Sequence, residues 1–160
     1  MSDVKTLHDE DFAAWSKQQA DALRAAARTS SNQALDWANL AEEIEDLGAS
    51  QKSALHSQLR RIVQHLLKLE NSPTEEPHRG WIESITDARV EIEYLLEVSP
   101  SLRAGLEAGI AAETKRAIRV VVRDLESYGE IDRVAAARLR ATIYTDEQIL
   151  DDWFPAEPRS

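Results

Sequence analysis

The 160-residue chain contains no cysteine, and it has only five glycines and five prolines. The absence of cysteine excludes disulfides, thiolate metal sites and cysteine nucleophiles. Because glycine and proline are scarce while Ala, Leu, Glu and Arg are common, the composition favours helices. The N-terminus has no apolar signal region, and no apolar run approaches the roughly 20 residues that span a bilayer. We therefore expect a helical, cytoplasmic protein that does not enter a membrane.

Charge and length limit the possible partners and architecture. The formal net charge is -10, and 42% of the residues are apolar. This apolar fraction supports a buried core, and the length suits a single domain. We expect one helical domain over residues 1–160, with flexible ends at about 1–7 and 156–160. The acidic balance repels nucleic acid at long range, so nucleic acid is not an expected partner, although a local basic patch can override this repulsion.

Helical periodicity defines the expected elements. The predicted helices cover about 9–28, 36–47, 50–70, 80–98, 100–128 and 132–141, and a last turn or two follows Thr145. Thr145 and Gln148 have the spacing of a capping box. We interpret Gly48 as a left-handed helix end, the alternative being one continuous helix in which glycine costs about 1 kcal/mol. The predicted fold class is all-α: a single-domain helical bundle of about five main helices plus one or two short C-terminal helices.

The second predicted helix carries an acidic cluster around an apolar stripe of Leu40, Ile44 and Leu47. Of the acids, Glu43 borders this stripe, and His65 borders the stripe of the next helix. A carboxylate and an imidazole that approach a bundle interior can bind a divalent metal. However, the Glu-x-x-His spacing of bundle metal sites is missing, so we predict no cofactor. We prefer a solvated acidic face and a hydrogen-bonded histidine, with a Glu43/His65 metal site or metal-dependent enzyme as the alternative.

Two further groups of residues are candidates for binding. Lys115, Arg119 and Arg123 form a basic stripe at spacing i, i+4, i+8, which suits a phosphate, a nucleic acid or an acidic partner surface. In so acidic a chain we prefer a solvated face that forms ion pairs. Among the four tryptophans, Trp37 and Trp81 are candidates for stacking on a base or a sugar. Without an adjoining basic groove, we interpret the tryptophans as core anchors.

The order of several short motifs is informative over nearly the whole chain. They are D-x-x-x-W (11–15), LDWANLAEEIEDLG (35–48), HLLKLE (65–70), WIESI (81–85), SPSL (99–102) and YTDEQILDDWFP (144–155). Together they resemble the bacterial domain-of-unknown-function family 29. Asn39 stands where that family usually has an acid, Leu69 where it often has an aromatic residue, and segment 130–142 differs from the usual proline-rich connector. The C-terminal quarter is therefore the part that matches the family least.

The resemblance implies an all-helical fold and a small, soluble bacterial protein. It implies no reaction, cofactor or substrate. The residues that it brings forward in this sequence are Trp37, Glu43, Gly48, His65 and Trp81.

The leading functional hypothesis is a non-enzymatic interaction module that uses a helical face to bind a protein partner or a second copy of itself. No Gly-x-Ser-x-Gly motif, phosphate-binding glycine loop or dinucleotide fingerprint supports catalysis. The alternatives are the Glu43/His65 metal site and nucleic-acid or phosphate binding by Lys115, Arg119 and Arg123.

Overall fold

A computed structural model describes residues 4–29 and 34–156, and the regular elements within these ranges are all helical. They are α1 (Val4–Glu10), α2 (Phe12–Thr29), α3 (Trp37–Asn71), α4 (His78–Val98), a 3-10 helix (Pro100–Gly105), α5 (Leu106–Ser127), α6 (Arg133–Arg140) and α7 (Asp146–Leu150). The predicted all-α class is confirmed. Of the ends expected to be flexible, residues 4–7 belong to α1, whereas 1–3 and 157–160 lie outside the described residues.

The chain divides into two compact units, each made of two separate segments. The first unit comprises Met1–Leu55 and Tyr94–Ala104, and the second comprises His56–Glu93 and Gly105–Ser160. Helices α3 and α4 therefore contribute residues to both units. The expectation of a single domain stays a prediction.

Local sequence signals set the ends of the C-terminal helices. Gly129 follows α5 with φ 67°, a left-handed conformation that glycine adopts without strain. Asp132 begins α6 by accepting a hydrogen bond from the amide of Ala135 at 2.8 Å. Thr145 and Gln148 form the predicted capping box at the start of α7. Of these, the capping box was predicted from the sequence, and the bounds near 128 and 132 agree with the predicted helices.

The predicted helix end at Gly48 is wrong, because α3 continues through this residue to Asn71. A Cβ atom at Gly48 would stand 2.7 Å from the Oγ and 2.9 Å from the Cβ of Ser16 in α2. The Ser16 hydroxyl accepts a hydrogen bond from the Gly48 amide at 3.1 Å and donates one to the carbonyl of Ile44. Glycine is therefore needed for the close approach of α2 to α3, and no left-handed turn is made here.

The predicted apolar stripe of this helix is also wrong in part. Leu40 is 40% exposed and Leu47 is 51% exposed, while Ile44 is only half-buried. The buried positions of this segment are Ala41 and Gly48. Small residues let the α2 backbone come close, so the larger leucines on the neighbouring lines of the helix are left facing solvent.

We expect Gly48→Ala to destabilise the protein by about 1–2 kcal/mol, although alanine is the better helix former by about 1 kcal/mol. The added methyl group must displace Ser16 and disturb both of its hydrogen bonds to α3. Urea unfolding measures the change. The matched control is Gly80→Ala in α4, where an added Cβ meets no atom within 4 Å, so this variant should be as stable as the wild type or slightly more stable. Equal stabilities of Gly48→Ala and the wild type would contradict the packing explanation.

Candidate functional site

A buried carboxylate lies between α3 and α5 in the second unit. Glu113 of α5 has a side chain with 0% exposure. It lies on the same side of α5 as the buried residues Ile110 and Ala117. One turn before it, the bare backbone of Gly109 lets α3 come close, since a Cβ there would be 3.4 Å from Leu59. The local sequence thus places one acid on the buried side of an apolar helix.

Three basic side chains bind this carboxylate. Arg60 of α3 donates from Nε to Oε2 at 2.8 Å. The Nδ1 atom of His56 lies 2.9 Å from Oε1, and Arg116 of α5 donates from Nη1 to the same oxygen. Arg60 and Arg116 keep roughly half of their side chains exposed, at 42% and 52%. Each guanidinium therefore retains further N–H donors for a group arriving from solvent.

The protonation state of Glu113 follows from this arrangement. Burial by itself raises the pKa of the carboxyl group, but hydrogen bonds from His56, Arg60 and Arg116 outweigh it, so the pKa lies below its usual value. Glu113 is therefore ionised at neutral pH. Even with a neutral His56, two guanidinium charges surround one carboxylate, and the cluster carries a net positive charge.

Other exposed or half-buried cations accompany the cluster on the parts of α3 and α5 that belong to the second unit. Together with those of the cluster they are Arg60, Arg61, Lys68, Lys115, Arg116, Arg119 and Arg123. We call these seven residues the basic face. The basic stripe predicted from the sequence is exposed, and with Arg116 it supplies the α5 members of this set. One of its members, Arg123, binds the carboxylate of Asp124 at 2.9 Å.

A shallow depression marks the α3 side of the basic face. It has a volume of about 370 Å³ and is lined by Ser57, Arg60, Arg61, Gln64 and His65. None of these five residues is acidic, and two of them are arginines. A negatively charged group that enters this depression therefore meets cations and neutral polar groups.

The structure places Glu43 and His65 in different units. Glu43 is exposed in the first unit, and His65 is half-buried in the second. Within residues 4–29 and 34–156 there is no group of three or more His, Cys, Asp or Glu residues that can hold a metal ion. The Glu43/His65 metal site stays a prediction without support from the described residues.

His65 nevertheless gives a prediction about pH. Burial, followed by the charges of Lys68 and Arg61, lowers its pKa from 6.5 to about 4. Between these two pH values the unfolded chain binds a proton that the folded chain does not, so stability falls as pH drops from 7 to 4. Because the side chain is only half-buried, we expect a loss of about 1–2 kcal/mol. His65→Gln should remove this part of the pH dependence in urea unfolding, and His8→Gln, a change at an exposed histidine, should not. Equal pH slopes for His65→Gln and the wild type would refute the assignment.

The tryptophan candidates are not fully buried. Trp37 begins α3 and Trp81 lies in the first turn of α4, and both are half-buried. The ring of Trp81 lies 5.3 Å from the ring of His78, measured between centroids. The interpretation of these tryptophans as core anchors and the alternative of stacking on a base or a sugar both stay predictions.

Lys115 also lines a second cleft. This cleft, of about 690 Å³, is bounded by α5 and by the link between α6 and α7. Its walls include the apolar residues Ile110 and Ile118, and its charged residues are Glu107, Lys115, Arg140, Asp146 and Glu147. Because charges of both signs surround the cleft, it shows no clear preference for an anion.

Sequence reasoning missed His56, Arg60 and Glu113 as a group. One signal was available: the apolar residues Leu106, Ile110 and Ala117 recur at helical spacing in the sequence, and this periodicity passes through position 113. An acid at a buried position needs a partner. The identity of the partners could not be predicted, because His56 and Arg60 are more than 50 residues away in the sequence.

Comparison with known proteins places the chain in a family. The family model described as a domain of unknown function, DUF29, matches residues 7–154. The chain is a DUF29 protein. No curated protein matches this DUF29 chain. Among solved structures, it is similar to an α-helical protein of unknown function from Rhodospirillum rubrum, with 23% sequence identity and a TM-score of 0.71 over 92% of this chain and 91% of the other.

These comparisons confirm the family resemblance and the all-helical fold of the DUF29 protein. At 23% identity, the solved structure is informative about the fold alone. Within the described part of the chain, no helix combines the length and apolar character that crossing a membrane requires.

Proposed function

We propose that this DUF29 protein is a non-enzymatic interaction module that binds an acidic protein segment on its basic face. The observation that carries the proposal is the buried Glu113 carboxylate, which holds Arg60 and Arg116 side by side. An arginine that is fixed in advance loses less conformational entropy when it binds a partner. Glu113 therefore acts as a positioning residue for two arginines whose outer N–H groups face solvent.

The composition of the basic face supports a carboxylate ligand. Five of its seven cations are arginines. The planar guanidinium group matches a carboxylate with two parallel hydrogen bonds, which a lysine ammonium cannot make. A segment with several Asp or Glu side chains can engage several of these arginines at once.

The size of the basic face favours a short protein segment over a nucleic acid. On α3 its cations run from Arg60 to Lys68, about 12 Å along a helix. A nucleic acid presents a continuous row of phosphates that extends well beyond this distance. Past the basic face it meets a protein with a net charge of -10, which repels the additional phosphates. A short acidic segment avoids that repulsion.

Fluorescence anisotropy with a labelled twelve-residue polyglutamate peptide tests the proposal. We expect binding at about 50 mM salt that weakens strongly at about 300 mM salt, because surface charges are screened. Arg116→Glu combined with Arg119→Glu should weaken binding by about tenfold or more. The matched control is Arg79→Glu combined with Arg133→Glu, which changes the net charge equally at exposed positions outside the basic face and should have a much smaller effect.

Two outcomes would overturn the proposal. Absence of peptide binding at low salt would remove the acidic segment as a ligand. Tighter binding of a single-stranded oligonucleotide than of the peptide, with the same dependence on Arg116 and Arg119, would replace it with nucleic-acid binding.

The bacterial, cytoplasmic setting expected from the sequence is part of this proposal, and the resemblance to a bacterial family supports it.

A further inference from the structure

The solvent-facing side of α4 carries an apolar stripe within the second unit. Ile82 is 40% exposed and Val90 is 61% exposed, and Thr86 lies between them on the same line of the helix. Ile82 and Val90 are thus two exposed branched side chains on one line of the helix, where a partner helix can pack on them.

A row of carboxylates runs beside this stripe at spacing i, i+4, i+8. Its members are Glu83, Asp87 and Glu91. Glu83 accepts a hydrogen bond from Arg79 of the same helix at 3.0 Å. Among the described residues, Asp87 and Glu91 form no ion pair. The outer side of α4 is thus both apolar and negatively charged.

The acidic row of α4 and the basic stripe of α5 have the same repeat. Lys115, Arg119 and Arg123 also follow i, i+4, i+8, so each row has one charge about every 6 Å and spans about 12 Å. Charges of opposite sign on two helices with one repeat can be brought into register along their whole length. The stems of lysine and arginine side chains also provide apolar surface on which Ile82 and Val90 can pack.

We infer that the α4 face of one copy docks on the α5 side of the basic face of a second copy. The inference rests on the proposed function, since it identifies the acidic segment bound by the basic face as α4 of another DUF29 chain. Each copy carries both faces on its second unit. The contact is therefore head-to-tail, and it can repeat from copy to copy instead of stopping at a symmetric dimer.

Two neutralised variants test this arrangement. The α4-neutral variant carries Glu83→Gln, Asp87→Asn and Glu91→Gln, and the α5-neutral variant carries Lys115→Gln, Arg119→Gln and Arg123→Gln. All six positions are exposed, and circular dichroism verifies that both variants are folded. Light scattering coupled to gel filtration then gives the masses of each variant alone, of their equimolar mixture and of the wild type.

We expect the wild type to grow beyond a dimer with increasing concentration at about 0.1–0.15 M salt, where a Debye length of about 8–10 Å screens the repulsion between two chains of net charge -10 but not the close contact of the two charged rows, and to dissociate at about 0.5 M salt. Each neutral variant alone should be a monomer. Their mixture should give a 1:1 dimer and nothing larger, because only one intact acidic row and one intact basic stripe face each other. This closed heterodimer is the outcome that distinguishes head-to-tail docking from other self-association.

Other outcomes would overturn the inference. A wild type that stays monomeric at high protein concentration and about 0.1–0.15 M salt, a neutral variant that associates as well as the wild type, or a mixture that stays monomeric would each do so. The polyglutamate peptide separates the two proposals. If the peptide binds the α4-neutral variant while the wild type stays monomeric, only this inference fails. If the peptide binds neither protein, the proposed function fails together with it.

Discussion

Arg89→Ala should lower the free energy of unfolding by about 3 kcal/mol, since it removes hydrogen bonds from a charged donor to buried acceptors. Arg89 is only 6% exposed. Its Nε donates to the carbonyl of Ile149 at 2.9 Å, and its Nη2 donates to those of Gln148 at 3.0 Å and Trp153 at 2.8 Å. Its Cζ lies 4.9 Å from the ring centroid of Phe154. The side chain thus holds the C-terminal end of α7 and the segment after it.

Urea unfolding gives the size of this loss, and hydrogen exchange locates it. In Arg89→Ala the amides of Ile149 and Asp151 should exchange faster, because the C-terminal end of α7 loses its bound guanidinium. The free energy of unfolding of Arg89→Lys should lie between those of Arg89→Ala and the wild type. Lysine keeps the charge, but its single ammonium group cannot reach all three carbonyls as the branched guanidinium does. Arg79→Ala, on the same helix but with a side chain 91% exposed, is the control and should change little. A loss below about 1 kcal/mol in Arg89→Ala would mean that water replaces these contacts at little cost.

Glu113→Gln should destabilise the protein by about 2–3 kcal/mol at neutral pH. The amide keeps the shape of the side chain, but it removes the negative charge that Arg60 and Arg116 share. The amide also points its own N–H donors at the N–H donors of the neighbouring side chains, which need an acceptor. Urea unfolding of the variant and the wild type measures the difference. Arg116→Gln leaves the Glu113 carboxylate in place with two partners. It should therefore lower the free energy of unfolding by less than Glu113→Gln does.

The pH dependence separates this charge effect from simple packing. The folded pKa of Glu113 lies below its usual value, so the stabilisation is present above the unfolded pKa and is lost as pH falls through the lower, folded pKa. The stability difference between the wild type and Glu113→Gln should therefore be largest near neutral pH and should shrink in acid. A difference that is constant from pH 7 to pH 3 would show that the charge of Glu113 is not what stabilises the fold.

The sequence predicted features that depend on residues close together in the chain. The predicted box of Thr145 with Gln148 and the predicted helix boundaries near 128 and 132 each involve at most a few neighbouring residues. Their backbone conformations and hydrogen bonds are decided locally, so short patterns are sufficient to identify them. The all-α class followed from the same kind of information, because helical periodicity repeats within one or two turns.

Features that depend on distant contacts were not predictable. A glycine at this position is typical of a helix end. Only the position of Ser16 on α2 shows that Gly48 instead allows a close contact between α2 and α3. Arg89 looks like any charged helical residue until the carbonyls of α7, about 60 residues further on, are brought to it. The same applies to Glu113, whose two α3 partners precede it by more than 50 residues. Periodicity identified the buried side of α5 but not the groups that meet there.

The division of each unit into two segments has a consequence for folding during synthesis. The first unit requires residues from Tyr94–Ala104, which are made after the whole His56–Glu93 segment of the second unit. The ribosome must therefore release a long stretch of the second unit before the first can be completed. Domains that fold one after another from the N-terminus avoid this delay. The part of α3 that packs on α5, including Leu59 and His56 beside Gly109, therefore stays uncovered until α5 has been synthesised.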